Sequence, residues 1–455
     1  MKKLLHLSIL FILNVSLNAQ NVEFYDSNFK AYLVGNANIN TNGDSEIQIS
    51  EAEAFTGTID CNSRNITSLK GIENFKNITE LICYSNNFSY LNLFYNEKLK
   101  KVNCNGSGIQ DIQVSQCLEL TELLCGSNRL TFIDISNNLA LKTLYSSHNQ
   151  FLDNLDVSHN TNLELLYSSS TALTSLDLTQ NKSLKFLDIG GTQISNIDLS
   201  QNVDLNEFYC GATQLSNLDV SKNVNLQILQ VFDNPSITTL DVSKNTALTY
   251  LSVVNNSITS LDVSKNILLQ TFFCGGNQIT NLDVTNNTSL TQFSCWGNKL
   301  TTLDLSKNSG LTFIRVSDNE LNSLNIKNGT NNLISFFRAT NNPNLTCIQV
   351  DNPTASENYP DWQKDTIATY NINCGLSVAD VSKSELTIYP NPAKDIINFS
   401  DELSNIIIID SSGKLIKRNK TSISKINVSD LEKGNYIITA ISKSGNTITK
   451  KFIKQ

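Results

Sequence analysis

The sequence predicts a mainly β protein: a right-handed solenoid of parallel strands with a short helical N-terminal cap, followed by a small antiparallel β-sandwich. Three observations lead there. Apolar residues return every 21, occasionally 22, residues from Ile78 and Leu99 through to Leu290 and Leu311. Within each period they alternate twice in the manner of a strand. After about residue 350 the period is lost, and from residue 386 strands separated by turns replace it.

Taken in chain order, residues 1–19 read as a secretory signal. Lys2 and Lys3 precede an apolar run from Leu4 to Leu13, and the small Ala19 precedes Gln20. That run is shorter than the roughly 20 residues of a membrane-spanning helix, and no later segment is apolar enough, so no transmembrane segment is expected. Residues 20–54 form the N-terminal cap. Asp26 to Val34 reads as a helix with Phe29 and Leu33 on one face. The following Asn40-Thr-Asn42-Gly-Asp44-Ser-Glu46 … Glu51 places oxygen side chains at places 1, 3, 5 and 12 of an EF-hand-like loop, as a hard cation requires. Asn stands for Asp at places 1 and 3 and Ser for Gly at 6, so weak calcium binding competes with an ion-free capping turn. Otherwise no cofactor is expected.

Residues 55–350 carry the repeat. A representative unit, Leu290 to Gly310, is LTQFSCWGNKLTTLDLSKNSG. It holds LxxLxLxxN twice: Leu290, Phe293, Cys295, Asn298, then Leu300, Leu303, Leu305, Asn308. Alternation about LxL is a strand signal, and the Asn turns the chain and can bond the unpaired backbone groups of the bend. One unit cannot bury its own apolar row, so units must stack, each inward Leu gaining roughly 1.5–3 kcal/mol. These residues resemble the leucine-rich-repeat superfamily in its bacterial form, with 21-residue units nested from two halves, over about two thirds of the chain. The second half also reads as a strand where many members carry a helix, which predicts a flattened coil with a sheet on each face. A parallel β-helix is the nearest alternative.

Residues 351–374 lose the repeat, contain Trp362 and read as the C-terminal cap; 375–385 form a short polar linker. From Leu386 onward the strands LTIYPNP, DIINFS, NIIIID and GNYIITAIS are separated by the turns Ser411-Ser412-Gly413-Lys414 and Ser442-Lys443-Ser444-Gly445. Tyr389-Pro390-Asn391-Pro392, Gly434-Asn435-Tyr436 and the closing Lys450-Lys451-Phe452-Ile453-Lys454 resemble the type A C-terminal sorting domain of the Por (type IX) secretion system. The resemblance implies contact with that machinery, export through the outer membrane, then removal of the domain and attachment to the cell surface or release.

Hydrophobic residues make up 40% and charged residues 17% of the chain, a folded composition whose polar surface comes from Asn, Ser and Thr. From residue 386 the chain is net +5, which leaves the remainder, without its two leading lysines, near −15. So acidic a body does not suit nucleic acid.

Cys61, Cys83, Cys104, Cys125, Cys210, Cys274 and Cys295 take the same inward place of their units and read as small core residues. A metal ladder or serial disulfides are the alternatives, and parallel-strand spacing of about 4.8 Å exceeds disulfide reach. Cys117 replaces a turn Asn. Cys347 and Cys374 bracket the C-terminal cap, and an exported chain permits a disulfide there. His148 and His159 read as solvated loop residues. No Ser-His-Asp set, Cys/His metal spacing or phosphate loop is present, so no enzyme is expected. Nine Asp residues, from Asp134 to Asp304, form an outward column in the second half and read as a solvated face rather than a cation ladder.

The best functional signal lies on the first-half strands. Their outward places vary from unit to unit and carry Tyr84, Tyr145, Tyr167, Phe186, Tyr209, Phe232, Tyr250, Phe273, Trp296, Phe313 and Phe336, with Arg315 and Arg338 near the end. Such a row is either an interaction patch or a cross-strand packing ladder. The interaction reading, with Tyr145, Tyr167, Tyr209, Phe232, Tyr250, Phe273, Trp296, Phe313 and Arg315 as contacts, predicts a surface protein that binds a protein or glycan. The competing functions are a polysaccharide-active β-helical enzyme and a structural spacer without a ligand.

Overall fold

A computed structural model describes residues 20–374, 387–410, 413–442 and 447–455. The predicted signal (1–19), the linker (375–385), Leu386, Ser411-Ser412 of the first predicted turn and 443–446 of the second lie outside the described residues. The chain divides into two compact units, residues 1–374 and 375–455.

The first unit is a solenoid. Fifteen parallel strands, from Gly57–Asp60 to Trp362–Lys364, form one sheet among the described residues. Most are three residues long and pair one coil apart, as Glu207, Phe208 and Tyr209 do with Ile228, Leu229 and Gln230. The middle residue of each triplet faces in: Leu144, Leu166, Leu187, Phe208 and Leu229 are fully buried. Its two neighbours face out, as period-two geometry demands. The seven repeat-position cysteines lie in this core, each 0% exposed.

Past each strand the chain enters the left-handed region once per coil. Ser127, His148, Ser170, Ala212, Asp233 and Asn255 all have φ between 53° and 62°, and Gly191, Gly276 and Gly297 fill the same place elsewhere. A buried asparagine follows in most coils, and a threonine in three of them (Thr171, Thr192 and Thr213). Asn128 Nδ2 donates to the carbonyls of Cys104 and Cys125, while its Oδ1 accepts from the Ser107 and Ile109 amides of the coil before. The second half ends on its own ladder: Asn223 Nδ2 donates to Leu199 O (3.0 Å) and Asn202 O (2.8 Å), and the pattern repeats in each neighbouring coil.

The second face is less of a sheet than the alternation predicts. Tyr90–Asn92 pairs with Asp111–Gln113, and Thr302–Asp304, Ser323–Asn325, Cys347–Gln349 and Thr369–Asn371 form a four-stranded parallel sheet. Between them, residues 131–135 and the equivalent segments up to 280–284 run without strand pairing. The Asp column closes the turn that follows, in paired and unpaired coils alike, since Asp304 of the paired strand accepts from the Ser306 amide at 2.9 Å. Asp219 Oδ1 accepts from the Ser221 amide at 2.8 Å, and Asp134, Asp156, Asp177, Asp198, Asp241, Asp262 and Asp283 repeat the bond.

At the N-terminal end Ser27–Val34 is helical and buries Phe29 and Leu33. Asp26 caps it through the amides of Asn28 and Phe29, and its other oxygen accepts from Thr67 of the first coil, so one carboxylate fixes the helix to the solenoid. A second short helix, Ile49–Ala54, ends the cap. At the other end Cys347 and Cys374 are joined by a disulfide. Trp362 packs against Phe337, Tyr359 and Tyr370 and donates its Nε1–H to Ile334 O at 3.0 Å.

The second unit is one continuous antiparallel sheet of six strands. Its 15-residue strand Ile396–Asp410 pairs through its first part with Ile388–Tyr389 and Ile423–Asn427, and through its second with Leu415–Asn419 and Gly434–Ser442. The register shifts between the two parts let it carry both halves of the sandwich-like unit, which encloses Ile397, Phe399, Ile408, Ile438 and Phe452.

Candidate binding face

The outward residues of the fifteen-stranded sheet fall into three columns: one before the buried middle residue, one after it, and one two residues further on. The aromatics are spread over all three, and none stands clear of the surface; each is half-buried. Tyr145, Tyr167, Phe186 and Tyr209 make one ladder across successive coils, with centroids 5.4, 4.3 and 5.2 Å apart. Tyr250, Phe273, Phe313 and Phe336 make a second, ending in a stacked pair 4.6 Å apart.

Three rings, two of them in the third column, lie over glycines of the coil before. A Cβ on Gly126 would stand 2.2 Å from the Tyr145 ring, on Gly211 2.3 Å from Phe232, and on Gly275 2.2 Å from the Trp296 indole nitrogen. Of these, Tyr145 reaches over from the middle column. Trp296 does not join the Phe273–Phe313 contact: its indole lies over Gly275 and carries the Arg315 guanidinium 4.7 Å above it. Arg338 lies over Phe336 at 5.4 Å. Packing ladder and outward face are one and the same structure here.

Charge is divided along the face. Lys101, Lys142 and Lys185 each pair with a glutamate one coil away, Glu122 or Glu164. Tyr209 donates its hydroxyl to Glu207 at 2.8 Å; burial first, then that carboxylate, pushes its phenol well above the usual range. Arg315 and Arg338 close the far end.

More exposed apolar side chains lie elsewhere. Leu118, Leu139, Val203, Val224 and Ile267 follow the second-half turn and are about half exposed, from 47% to 58%. Sequence reasoning passed over them because a residue after a turn Asn has no apolar partner in the pattern.

In the N-terminal loop Asn40, Asn42, Asp44 and Glu51 come together, and Glu46 turns away to Lys30 at 2.5 Å. Glu51 accepts from the Thr41 amide and hydroxyl, the Asn42 amide and, through its other oxygen, the Gln48 amide. Burial raises its pKa, but these donors outweigh burial and hold the carboxyl below its ordinary 4.5. The described residues hold no group of three or more His, Cys, Asp or Glu placed to bind a metal. His148 and His159 are exposed in their loops. Burial pushes the Cys61, Cys117 and Cys125 thiols up to about 12.

In the C-terminal unit Asn391 accepts from the Ile453 amide and donates to Lys451 O, and Ala393 bonds Ile453 O, so Tyr389-Pro390-Asn391-Pro392 is fastened to the last strand. Tyr436, next after Gly434-Asn435, is buried and stacks on Phe452 at 5.4 Å.

Comparison with known proteins agrees with this division. Residues 387–455 match the family described as the secretion system C-terminal sorting domain. This marks the chain for type IX export to the cell surface or the exterior. The functional domain of InlJ from Listeria monocytogenes, described as including a cysteine ladder, is 24% identical; the match covers 96% of this chain and 98% of that one, with a TM-score of 0.64. A Leptospira interrogans leucine-rich-repeat protein is 24% identical over 67% of this chain and 83% of its own, TM-score 0.57. The L. monocytogenes internalin InlF is 19% identical over 67% and 99%, TM-score 0.54. The solenoid therefore has the leucine-rich-repeat fold. No curated protein sequence matches the chain. No helix among the described residues is long and apolar enough to cross a membrane.

Proposed function

We propose that this exported leucine-rich-repeat chain is a non-enzymatic binding protein of the cell exterior, and that it holds a macromolecular partner on the outer columns of its fifteen-stranded sheet. One contrast carries the reading. Places on the opposite face repeat as Asp-x-Ser or Asp-x-Thr and satisfy themselves within the turn. Places on the sheet face vary, and carry the rings, the ion pairs and both arginines. A surface that only separates two other structures has no use for that variety; recognition does.

Screening the purified full chain against surface-protein and glycan libraries identifies the partner. Gln292, exposed on its strand, then tests the face. Gln292→Arg should lower capture by about tenfold or more, and Asn281→Arg, exposed on the other face, should leave it unchanged. Equal losses from both, with unchanged melting, would move the binding surface off this face. For calcium we propose no more than a weak site in the N-terminal loop, in the 10⁻⁴–10⁻³ M range of extracellular modules, since an ion would have to draw Glu51 from four donors. Calorimetry showing no heat at millimolar calcium would remove it.

A further inference from the structure

We propose that Arg315 and Arg338 form a paired carboxylate site at the C-terminal end of the sheet face, which receives neighbouring Asp or Glu side chains on an acidic segment of a partner protein. The proposal rests on the reading of this face as the binding surface and gives its partner a chemistry.

The two arginines are register partners on adjacent parallel strands, Phe313–Arg315 and Phe336–Arg338. Strand spacing of about 4.8 Å brings the stems of two like charges side by side. Nothing offsets them. Among the described residues neither guanidinium lies within 4.0 Å of a carboxylate or donates a hydrogen bond, while the lysines of the same face are paired. Three buried side-chain atoms there have no hydrogen-bond partner: Nε of Arg315, Nε of Arg338, and Oγ of Ser317, two residues after Arg315 and past the end of its strand. Apart from the asparagine ladder, the described residues hold one other such atom, the Tyr370 hydroxyl.

The rings hold this pair in place. Arg315 rests on Trp296, which rests on Gly275; Arg338 rests on Phe336, which stacks on Phe313 at an interplanar angle of 8°. Stacking fixes a guanidinium in plane and leaves its donor edge to recognise planar oxyanions two bonds at a time. The chemistry of the partner follows from what is still free. Both rings are already engaged, Trp296 by Gly275 and the Arg315 guanidinium and Phe336 by Phe313 and the Arg338 guanidinium. A pyranose, which stacks on an open aromatic face, finds no platform there. A carboxylate on a short aliphatic stem needs only the guanidinium edges. Long-range attraction cannot account for such binding, because the chain as a whole is net −8.

An octaglutamate peptide titrated against the full chain tests this, with trigalacturonate as the glycan acid in a parallel arm. Trp296 lies directly under Arg315 and reports by its fluorescence; Trp296→Phe should remove the signal and identify it. Octaglutamate should shift the emission, and Arg315→Ala or Arg338→Ala should each weaken its binding by roughly tenfold or more. The double variant should abolish it, and Lys222→Ala, in a distant turn, should change nothing. Arg315→Lys and Arg338→Lys keep the charge and lose the fork, and keep the test alive if an alanine variant unfolds; weakened binding is expected from them. Octaglutamate that fails to bind at millimolar concentration, or binds the double variant as well as the parent, overturns the proposal. Trigalacturonate binding through these arginines while octaglutamate does not overturns it too, in favour of an acidic glycan. If the site behaves as expected but Gln292→Arg spares the screened partner, the wider face reading fails and the site stands; the converse pattern separates them the other way.

Discussion

At the scale of single residues the molecule is governed by buried amides. Each coil needs a donor at each bend for carbonyls that no strand pairs. Asn supplies it in most units, and the exceptions show what is essential. Thr171, Thr192 and Thr213 stand in three successive coils and donate to the carbonyl three residues back. Cys117 stands in the second ladder and points its thiol at Leu93 O (3.5 Å) and Asn96 O (3.6 Å). A donor of the right length is therefore the requirement. Asn223→Ala removes the bonds to Leu199 O and Asn202 O and leaves two buried carbonyls bare, which should cost about 1–3 kcal/mol. Asn223→Cys should cost less, because the chain itself makes that exchange at Cys117. Chemical denaturation of both variants measures the difference, and equal losses would show that size, not donation, is what the ladder requires. The cysteines of the core follow from the same burial. Their raised pKa values keep them protonated, so alkylation of the folded protein without reductant should label none of the eight unpaired thiols. Labelling of Cys104 or Cys210 in native protein would contradict that.

At the scale of elements, the first-half strands were legible because inward leucines and outward variety alternate without a break. The helix of the N-terminal cap was legible from Phe29 and Leu33. Ile49–Ala54 was not, because six residues are too few for a period to show. The weak second sheet was illegible for a different reason: Thr302–Asp304 pairs as a strand and residues 217–220 do not, although both have the same apolar alternation and both Asp304 and Asp219 accept from the amide two residues on. On the candidate face, residue type was legible and exposure was not. The glycines one coil before Tyr145, Phe232 and Trp296 carry the missing information, and only stacking reveals that they are one coil before. This changes what Trp296→Ala should do: it removes a ring that covers Gly275 and supports Arg315, so a stability loss of about 1–2 kcal/mol is expected, against almost none for Asn281→Ala. Matching melting curves for the two would return Trp296 to a free surface residue. The cap has a pH signature of its own. Asp26 and Glu51 are both held below their ordinary values of 3.8 and 4.5, because hydrogen bonds outweigh the burial that raises them. A depressed acid stabilises the fold above its unfolded value, and that stabilisation is lost as pH falls below it. The melting-temperature gap between parent and Glu51→Gln should therefore be full at pH 6 and narrow progressively below about pH 4.5. A gap that stays constant to pH 3 would mean the carboxylate is not what closes the loop.

At the scale of the whole molecule, two units with different charge and topology share one chain, a parallel solenoid and an antiparallel sheet. The sorting unit is built so that its extreme end is structural. Thr447–Lys454 pairs along its whole length with Gly434–Ser442 and also receives Asn391 and Ala393 from the start of the unit. Phe452 of this strand fills the core beneath Tyr436. The last residues are thus the strand on which the Tyr389-Pro390-Asn391-Pro392 segment is fastened, and a short truncation should act like a long one. Deleting residues 450–455 strips the register partners of 434–438 and both Asn391 bonds, and should leave the chain in the periplasm as completely as deleting 387–455. Export assays with both truncations, and with Phe452→Ala as a core lesion of the same strand, compare the two. If the six-residue deletion exported normally while the full deletion did not, the closing strand would be dispensable and the export signal would lie nearer Tyr389. The solenoid should be indifferent to either change, since it carries its own core and its own cap with the Cys347–Cys374 disulfide. Its melting transition in the two retained proteins should therefore coincide with that of the parent, and a shifted transition would show that the sorting unit also steadies the array.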